Sequence, residues 1–148
     1  MPIPRAGRIL AVDWGERRFG IAVSDESQTI ATPLVTLTRR PGKRFPMPAL
    51  HDLVAAQHAV GVVVGLPLTS QGQEAGAAEQ ARALAERIER RTTLPVELVD
   101  ERMTTARAHA AIREQGGSAR GRKGDVDALA AAVLLQGFLE RRRNDPGR

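Results

Sequence analysis

The chain begins with two short apolar runs whose pattern is typical of β-strands. They cover residues 8–14 and 19–25, and the polar connection between them, residues 15–18, predicts a hairpin. A third strand-like run covers residues 29–38 and contains Pro33, which predicts an edge position or an interruption of that strand. The start of the chain is therefore expected to form three antiparallel strands.

Beyond this hairpin region, helical patterns alternate with short, wholly apolar runs. The apolar runs, residues 60–65 and 94–99, are typical of strands buried on both faces. The helical patterns cover four segments, which are Pro46 to His58, Glu74 to Arg91, Thr104 to Gln115 and about Asp125 to Arg142. Strand–helix–strand connections require parallel pairing. The order β-β-β-α-β-α-β-α-α predicts an α/β fold, in which three antiparallel strands precede two parallel strands and helices pack on the mixed sheet.

The composition suits one domain. The chain has 148 residues, of which 42% are hydrophobic, so we expect a single domain over residues 1–148. Its ordered core is expected to span about residues 8–142, followed by a basic tail at 143–148. There is no cysteine, no signal-peptide pattern and no apolar stretch near the roughly 18 residues of a membrane helix. We therefore expect a cytoplasmic protein with no membrane partner.

The charge distribution favours a polyanionic partner. The net charge is +5, and much of the excess lies in four basic patches, at residues 39–44, 86–91, 118–123 and 140–143. Such patches are also common on solvated surfaces, but three of the four lie in or beside predicted loops. Aromatic residues make up only 3% of the chain, which argues against an extended base-stacking platform. Phosphate contacts are the expected mode of binding.

An acidic residue stands at the end of the first buried strand. Asp13 directly follows the apolar run from Ile9 to Val12. An unpaired charge beside a dry core costs several kcal/mol unless a partner compensates it. The sequence therefore predicts a compensating partner for Asp13.

The last predicted helix carries a second acid on its sheet-facing side. The apolar residues that follow Asp127 at helical spacing are Ala130, Ala131, Leu134, Leu135 and Phe138. Because this stripe continues back to Asp127, we expect that side chain to face the sheet. Asp125 points roughly the other way and suits the helix start. Stabilisation of the helix N-terminus is an alternative role for Asp127.

A third acidic position follows the last predicted strand. Asp100 and Glu101 come directly after the run that ends at Val99, and the sites of open α/β sheets lie beyond the carboxyl ends of parallel strands. The spacing does not choose between the two acids, and either could instead be a surface cap.

Three converging carboxylates would repel one another unless cations neutralise them. Oxygen ligands suit Mg²⁺ or Mn²⁺, which retain water and bind phosphate oxygens. Two such ions about 3.5–4 Å apart can activate water and stabilise a leaving oxygen during phosphodiester cleavage. The acids therefore predict a two-metal nuclease site.

Four sequence blocks resemble a known family. The blocks ILAVDWGERRFGIAVSD, VVVGLPLTSQGQEAG, VELVDERMTT and RKGDVDALAA occur in order over nearly the whole chain and are similar to the motifs of the YqgF/RuvX family. The resemblance implies an RNase H-like fold akin to resolvases of the RuvC type. It also implies maturation of the 5′ end of pre-16S rRNA, with Holliday-junction resolution as an older assignment. The family's acidic positions correspond to Asp13, Glu101 and Asp127.

Further residues are candidates for contact with substrate. These are Arg102, Thr105, Arg120, Arg122 and Lys123, with ion pairing and helix capping as the alternative roles of the first two. Trp14 is expected to fill core space or to stack on substrate. The three histidines, His51, His58 and His109, show no useful ligand spacing and are interpreted as surface or packing residues.

Other functions stay open on the sequence. The nucleic-acid partner is precursor rRNA or branched DNA, and the protein is a monomer or a homodimer. A non-catalytic RNA-binding assembly factor would bind with steep salt dependence and without cleavage. The Asp-x-Gly hairpin also resembles the phosphate-binding start of actin-like ATPases, but these need two such domains.

Overall fold

A computed structural model describes residues 2–67, 76–114 and 125–145. The strands are β1 (Ile9–Asp13), β2 (Arg18–Ser24), β3 (Ala31–Thr38), β4 (Gly61–Leu66) and β5 (Val96–Asp100). The α-helices are α1 (Met47–Gln57), α2 (Gly76–Thr92), α3 (Ala106–Glu114) and α4 (Asp125–Arg143), and a 3₁₀ turn covers Glu101–Met103. The observed order of elements confirms the predicted β-β-β-α-β-α-β-α-α.

The strands form a single mixed sheet in the order β3-β2-β1-β4-β5. Strands β1, β2 and β3 pair antiparallel, whereas β4 pairs parallel with both β1 and β5. This arrangement confirms the α/β fold class. Pro33 lies in the edge strand β3, opposite Ala22 and beside a register shift, where its missing N–H costs the sheet least.

Each face of the sheet is covered by a different pair of helices. Leu10 and Val12 point into one core with α1 and α2, whereas Ile9 and Ala11 point into a second core with α3 and α4. Because side chains alternate along a strand, Asp13 continues the second face. Trp14 instead packs against the first core. The end of β1 therefore presents neighbouring residues to opposite sides of the sheet.

Helix α4 is the central helix of the second core. The predicted stripe residues Ala131, Leu134, Leu135 and Phe138 are buried, and so are the residues between them, so the helix is buried on all sides over residues 131–139. Ala130, the first residue of the predicted stripe, is instead exposed beside a cavity at the carboxyl edge of the sheet. Buried Gln136 accepts a hydrogen bond from the Ala31 backbone N–H at 2.9 Å and donates to the Thr29 carbonyl at 3.1 Å. These bonds join the helix to β3. The first turn of α4, which carries Asp127, is thereby held over the strand ends.

The predicted start of helix α3 shifts for a local reason. Helix α3 begins at Ala106 rather than Thr104, because residues 101–103 form the 3₁₀ turn and Thr105 caps the helix. In the described part of the chain, no helix is long and apolar enough to cross a membrane.

Candidate active site

Asp13 and Glu101 meet at the carboxyl edge of the sheet. Asp13 ends β1, Glu101 begins the 3₁₀ turn after β5, and β4 lies between the two strands. The Glu101 side chain reaches within hydrogen-bonding distance of the Asp13 carboxyl. It does so by crossing over Gly65, where an added Cβ would lie 2.8 Å from Glu101 Oε1. A glycine at position 65 therefore provides the space through which the two carboxyl groups touch.

The environment of Asp13 disfavours its charge. Burial, the contact with Glu101 and the nearby Asp127 together raise the pKa of Asp13 to about 8. With a pKa of about 8, Asp13 keeps its proton at neutral pH when no cation is bound. The sequence predicts a divalent cation as the partner of Asp13, and that expectation stays a prediction.

Asp127 lies beside this pair and faces a cation. Arg18 Nε is 2.9 Å from Asp127 Oδ2, although the two are not aligned as a hydrogen bond. Asp127 is close enough to Asp13 to raise the pKa of that carboxyl. Both Asp127 Oδ2 and Glu101 Oε1 are shielded from solvent without a hydrogen-bond donor. Two acceptor atoms in a buried position without donors are unusual, because such atoms normally have a partner.

Gly20 allows the first turn of α4 to approach the sheet. It pairs with Asp13 across β1 and β2, and a Cβ added there would lie 1.8 Å from the Asp127 carbonyl oxygen. No other residue type fits without displacing the helix backbone. Gly20 therefore sets how near Asp127 comes to Asp13.

The three acids are adjacent, but they do not enclose one point. Within residues 2–67, 76–114 and 125–145, no three His, Asp or Glu side chains converge closely enough to hold one ion. Asp13 and Glu101 touch, while Asp127 is turned towards Arg18. The structure thus brings the predicted trio to one edge of the sheet with two of its members in contact.

Asp100 has a different role from its neighbour. It caps the 3₁₀ turn by accepting from the Arg102 backbone N–H at 2.8 Å, and the Arg102 guanidinium donates to both carboxylate oxygens at 2.7–3.2 Å. This ion pair lowers the pKa of Asp100. Glu101, rather than Asp100, meets Asp13, and Arg102 is engaged by Asp100 rather than directed at the acids.

Helix α3 contributes a side chain that sequence reasoning missed. A cavity of about 180 Å³ is lined by Asp13, Glu101, Thr104 and His109 together with the α4 wall. His109 has no ligand spacing to the other histidines in the sequence, and only the packing of α3 over the strand ends places it here. Thr105 accepts a hydrogen bond from the Ala108 N–H at 3.0 Å, which is the N-capping role.

Arg18 was also missed, because its position in a hairpin suggested only a turn residue. Three other predicted substrate contacts, Arg120, Arg122 and Lys123, lie outside the described residues.

Replacing Gly65 by alanine is expected to lower any activity of this site more than it lowers stability. The new methyl group would push against Glu101 and Leu134 Cδ2, which lies 3.0 Å from the added Cβ, and would move Glu101 away from Asp13. We expect about a ten-fold or greater loss of cleavage with a destabilisation of about 1–3 kcal/mol. Cleavage assays and thermal unfolding measure the two effects.

Gly76→Ala is the matched control, since a Cβ at Gly76 meets no atom of the described residues within 4 Å. Equal activities of the two alanine variants would show that Glu101 does not depend on Gly65.

A family model described as "RuvX: Holliday junction resolvase" matches residues 7–141. The chain belongs to the RuvX family. This confirms the resemblance carried by the four sequence blocks.

Curated relatives of this RuvX chain have similar length. A protein of Anaeromyxobacter dehalogenans, named "Putative pre-16S rRNA nuclease", is 43% identical over 135 residues, covering 91% of this chain and 98% of the relative. A protein of Koribacter versatilis with the same name is 42% identical over 139 residues, covering 94% of this chain and 90% of the relative. The similarity therefore extends over nearly the whole of each protein.

Solved structures confirm the fold. The RuvC of Thermus thermophilus in complex with a Holliday junction substrate superposes with a TM-score of 0.63 at 16% identity, covering 92% of the RuvX chain and 96% of RuvC. The yeast mitochondrial Holliday junction resolvase Ydc2 gives a TM-score of 0.50 at 12% identity, covering 97% of the RuvX chain and 85% of Ydc2. The mixed sheet with its helices is thus the RNase H-like fold of these resolvases.

Proposed function

We propose that this RuvX protein is a divalent-metal-dependent nuclease that hydrolyses phosphodiester bonds, with pre-16S rRNA as its substrate. The observation that carries the proposal is the contact between the Asp13 and Glu101 carboxyl groups at the carboxyl edge of the sheet, with Asp127 beside them. The names of the curated relatives support the rRNA substrate.

The residues fit Mg²⁺ or Mn²⁺. Glu101 Oε1 is a buried acceptor without a donor, and Asp127 Oδ2 is a buried oxygen whose neighbour, Arg18 Nε at 2.9 Å, is not aligned as a hydrogen bond. Asp13 retains a proton that a cation would replace. Carboxylate oxygens are the ligands that these hard cations prefer. Asp13, Glu101 and Asp127 are the residues that would hold the metal. When bound, such ions lower the pKa of coordinated water and stabilise charge on the leaving oxygen.

Other side chains would bind and orient the substrate. Arg18 is half-exposed beside Asp127, so its guanidinium can leave the carboxylate and bind a phosphate oxygen. His109 lines the cavity, where an imidazole can donate a proton to the departing oxygen. The cavity itself is small, so the bulk of a nucleic acid would remain outside it.

Holliday-junction cleavage is the second candidate. The family model carries that description, and the fold is shared with RuvC. A junction has two symmetric strands to cut and would require paired sites in a homodimer. A monomer in solution that cleaves precursor RNA would favour the rRNA function.

The test is a cleavage panel of pre-16S rRNA fragments, unstructured RNA and junction DNA, each with Mg²⁺, Mn²⁺ or a chelator. We expect cleavage that requires a metal and falls at least about a hundred-fold in Glu101→Gln, because the neutral amide is a poor ligand for a hard cation. Glu86→Gln, an exposed change of the same chemistry in α2, is expected to cleave normally.

Binding without cleavage in either metal would contradict the nuclease proposal. The protein would then be the RNA-binding assembly factor on a nuclease scaffold that the sequence also allowed.

A further inference from the structure

A second cavity lies on the opposite face of the sheet from the acids. It measures about 390 Å³ and opens between the hairpin connection after β1, the loop before α1 and helix α2. Among the described residues, its wall contains four basic side chains and no acidic one. They are Arg39, Lys43, Arg44 and Arg87.

The charges of this cavity repel one another. Burial and the neighbouring guanidinium of Arg44, followed by those of Arg91 and Arg90, lower the pKa of Arg87. Arginine nevertheless stays protonated in proteins. In the described part of the chain, no carboxylate forms a salt bridge with Lys43, Arg44 or Arg87. A cluster of cations that no carboxylate of the described residues neutralises favours the binding of an anion.

The wall of the cavity is braced. The Arg39 side chain donates to the backbone carbonyls of Glu16 and Lys43, the latter at 3.1 Å. These bonds connect the hairpin connection with the loop before α1. Because the acceptors are carbonyl groups, the Arg39 charge remains available to an anion as well.

An aromatic group stands among these cations. Trp14 is only partly buried and lines the cavity. Its ring meets Phe19 edge-to-face at 6.2 Å between centroids, and Phe19 meets buried Phe45 in the same way at 4.7 Å. The indole is therefore held firmly by the core at one end and accessible at the other. An aromatic surface beside cations binds a base and its phosphate together.

The cavity and the acidic group share neighbouring residues of the chain, since Trp14 of the cavity directly follows Asp13. Asp13 faces α4 and Trp14 faces the first core, so a strand that passes over the carboxyl end of β1 can touch both. We propose that the cavity lined by Trp14, Arg44 and Arg87 binds a single-stranded segment of the nucleic acid, a few nucleotides from the bond to be cut. The identity of the ligand as nucleic acid rests on the proposed nuclease function.

The expected segment is single-stranded because a base can stack on Trp14 only when it has left its own helix. The site therefore selects substrates in which an unpaired strand adjoins the cleavage point, such as the end of a precursor or the opened arm of a junction.

Trp14 provides a direct test, since it is the only tryptophan in the chain. Short oligouridylate and its deoxy counterpart are titrated into the full chain while Trp14 fluorescence is recorded. The buffer contains a chelator, so that binding is measured without cleavage. We expect quenching by the single strands and little quenching by a poly(A)·poly(U) duplex. Quenching by both the ribo-oligonucleotide and the deoxyribo-oligonucleotide supports the site. The ratio of their two affinities shows whether the site distinguishes RNA from DNA.

Arg44→Gln and Arg87→Gln are each expected to weaken binding about ten-fold and to reduce the salt slope of log K by about 0.7, the value for one lost phosphate contact on a single strand. Arg8→Gln is the matched control. Arg8 precedes β1 at its opposite end, and its side chain donates to Gln57 Oε1 at 3.0 Å, away from the cavity. Its variant should bind like the unmodified protein.

The outcomes separate this inference from the nuclease proposal. If the protein cleaves but the oligonucleotides bind without quenching, or the Arg44 and Arg87 variants bind normally, the cavity is not the strand site. Quenching by duplex as strong as by single strands also overturns it. If the strands quench and the arginine variants lose affinity while no metal supports cleavage, the nuclease proposal fails and the binding site stands.

Discussion

Replacing Asp13 by asparagine is expected to abolish cleavage and to stabilise the metal-free protein at pH 8. Cleavage should fall by about a thousand-fold or more, because the variant loses a carboxylate ligand at the centre of the acidic group. Stability should rise by on the order of 2 kcal/mol, since the asparagine amide donates to Glu101 without needing a proton. Cleavage rates and thermal unfolding in a chelator measure the two changes.

The direction of the pH effect follows from the raised pKa. The carboxyl titrates near its ordinary value of 3.8 in the unfolded chain and near 8 in the folded one. Between about pH 4 and pH 8 the folded protein therefore binds more protons, and its stability falls as the pH rises. Below this range the effect vanishes, and above it the full penalty applies. A divalent cation takes the place of the proton, so Mg²⁺ or Mn²⁺ should raise the unfolding temperature most at the alkaline end.

Asp52→Asn is a suitable control, since Asp52 is an exposed acid of α1. An Asp13→Asn variant whose stability falls with pH as steeply as that of the unmodified protein would contradict the assignment. Retained metal-dependent cleavage would remove Asp13 from the site.

Gly20→Ala is expected to have the largest structural effect of any single methyl group near the site. The added Cβ would lie 1.8 Å from the Asp127 carbonyl oxygen and 3.0 Å from the Ala128 nitrogen. Backbone atoms cannot rotate aside as side chains do, so the start of α4 must move away from β2. We expect a destabilisation of about 3 kcal/mol, at the upper end for overpacking, and loss of cleavage even where the protein is folded. Circular dichroism at the assay temperature establishes that the variant is folded.

Gly61→Ala separates crowding from site geometry. Gly61 is a strand glycine at the opposite end of β4, and its added Cβ would meet the Ile3 side chain at 2.7 Å. This variant should lose stability yet cleave at a near-normal rate while folded. If Gly20→Ala behaves in the same way, α4 does not set the position of Asp127.

The candidate site shows where local patterns are sufficient. The apolar stripe behind Asp127 predicted its position at the inner face of α4, because the period of a helix is fixed by its own backbone. The buried run before Asp13 likewise predicted an acid at a strand end. These features depend on residues that are neighbours in the chain, and the structure agrees with both placements.

The contacts across the sheet could not be predicted from local sequence patterns. Whether Asp100 or Glu101 meets Asp13 depends on the 3₁₀ turn and on the ion pair with Arg102. The approach of His109 depends on how α3 packs over the strand ends. Each of these depends on the relative placement of segments far apart in the sequence.

The sequence by itself determined the order of strands and helices, the mixed sheet, and the acids at the ends of β1 and β5 and in the first turn of α4, because backbone periodicity and strand–helix connectivity are local or topological properties. Only the tertiary structure decided that glycines at positions 20 and 65 admit a helix turn and a carboxylate, and that Trp14 stands in a cationic cavity on the far face. The reason is physical. The space beside a glycine is filled by atoms of a segment that is distant in the sequence, so its role can be identified only when both segments have been placed.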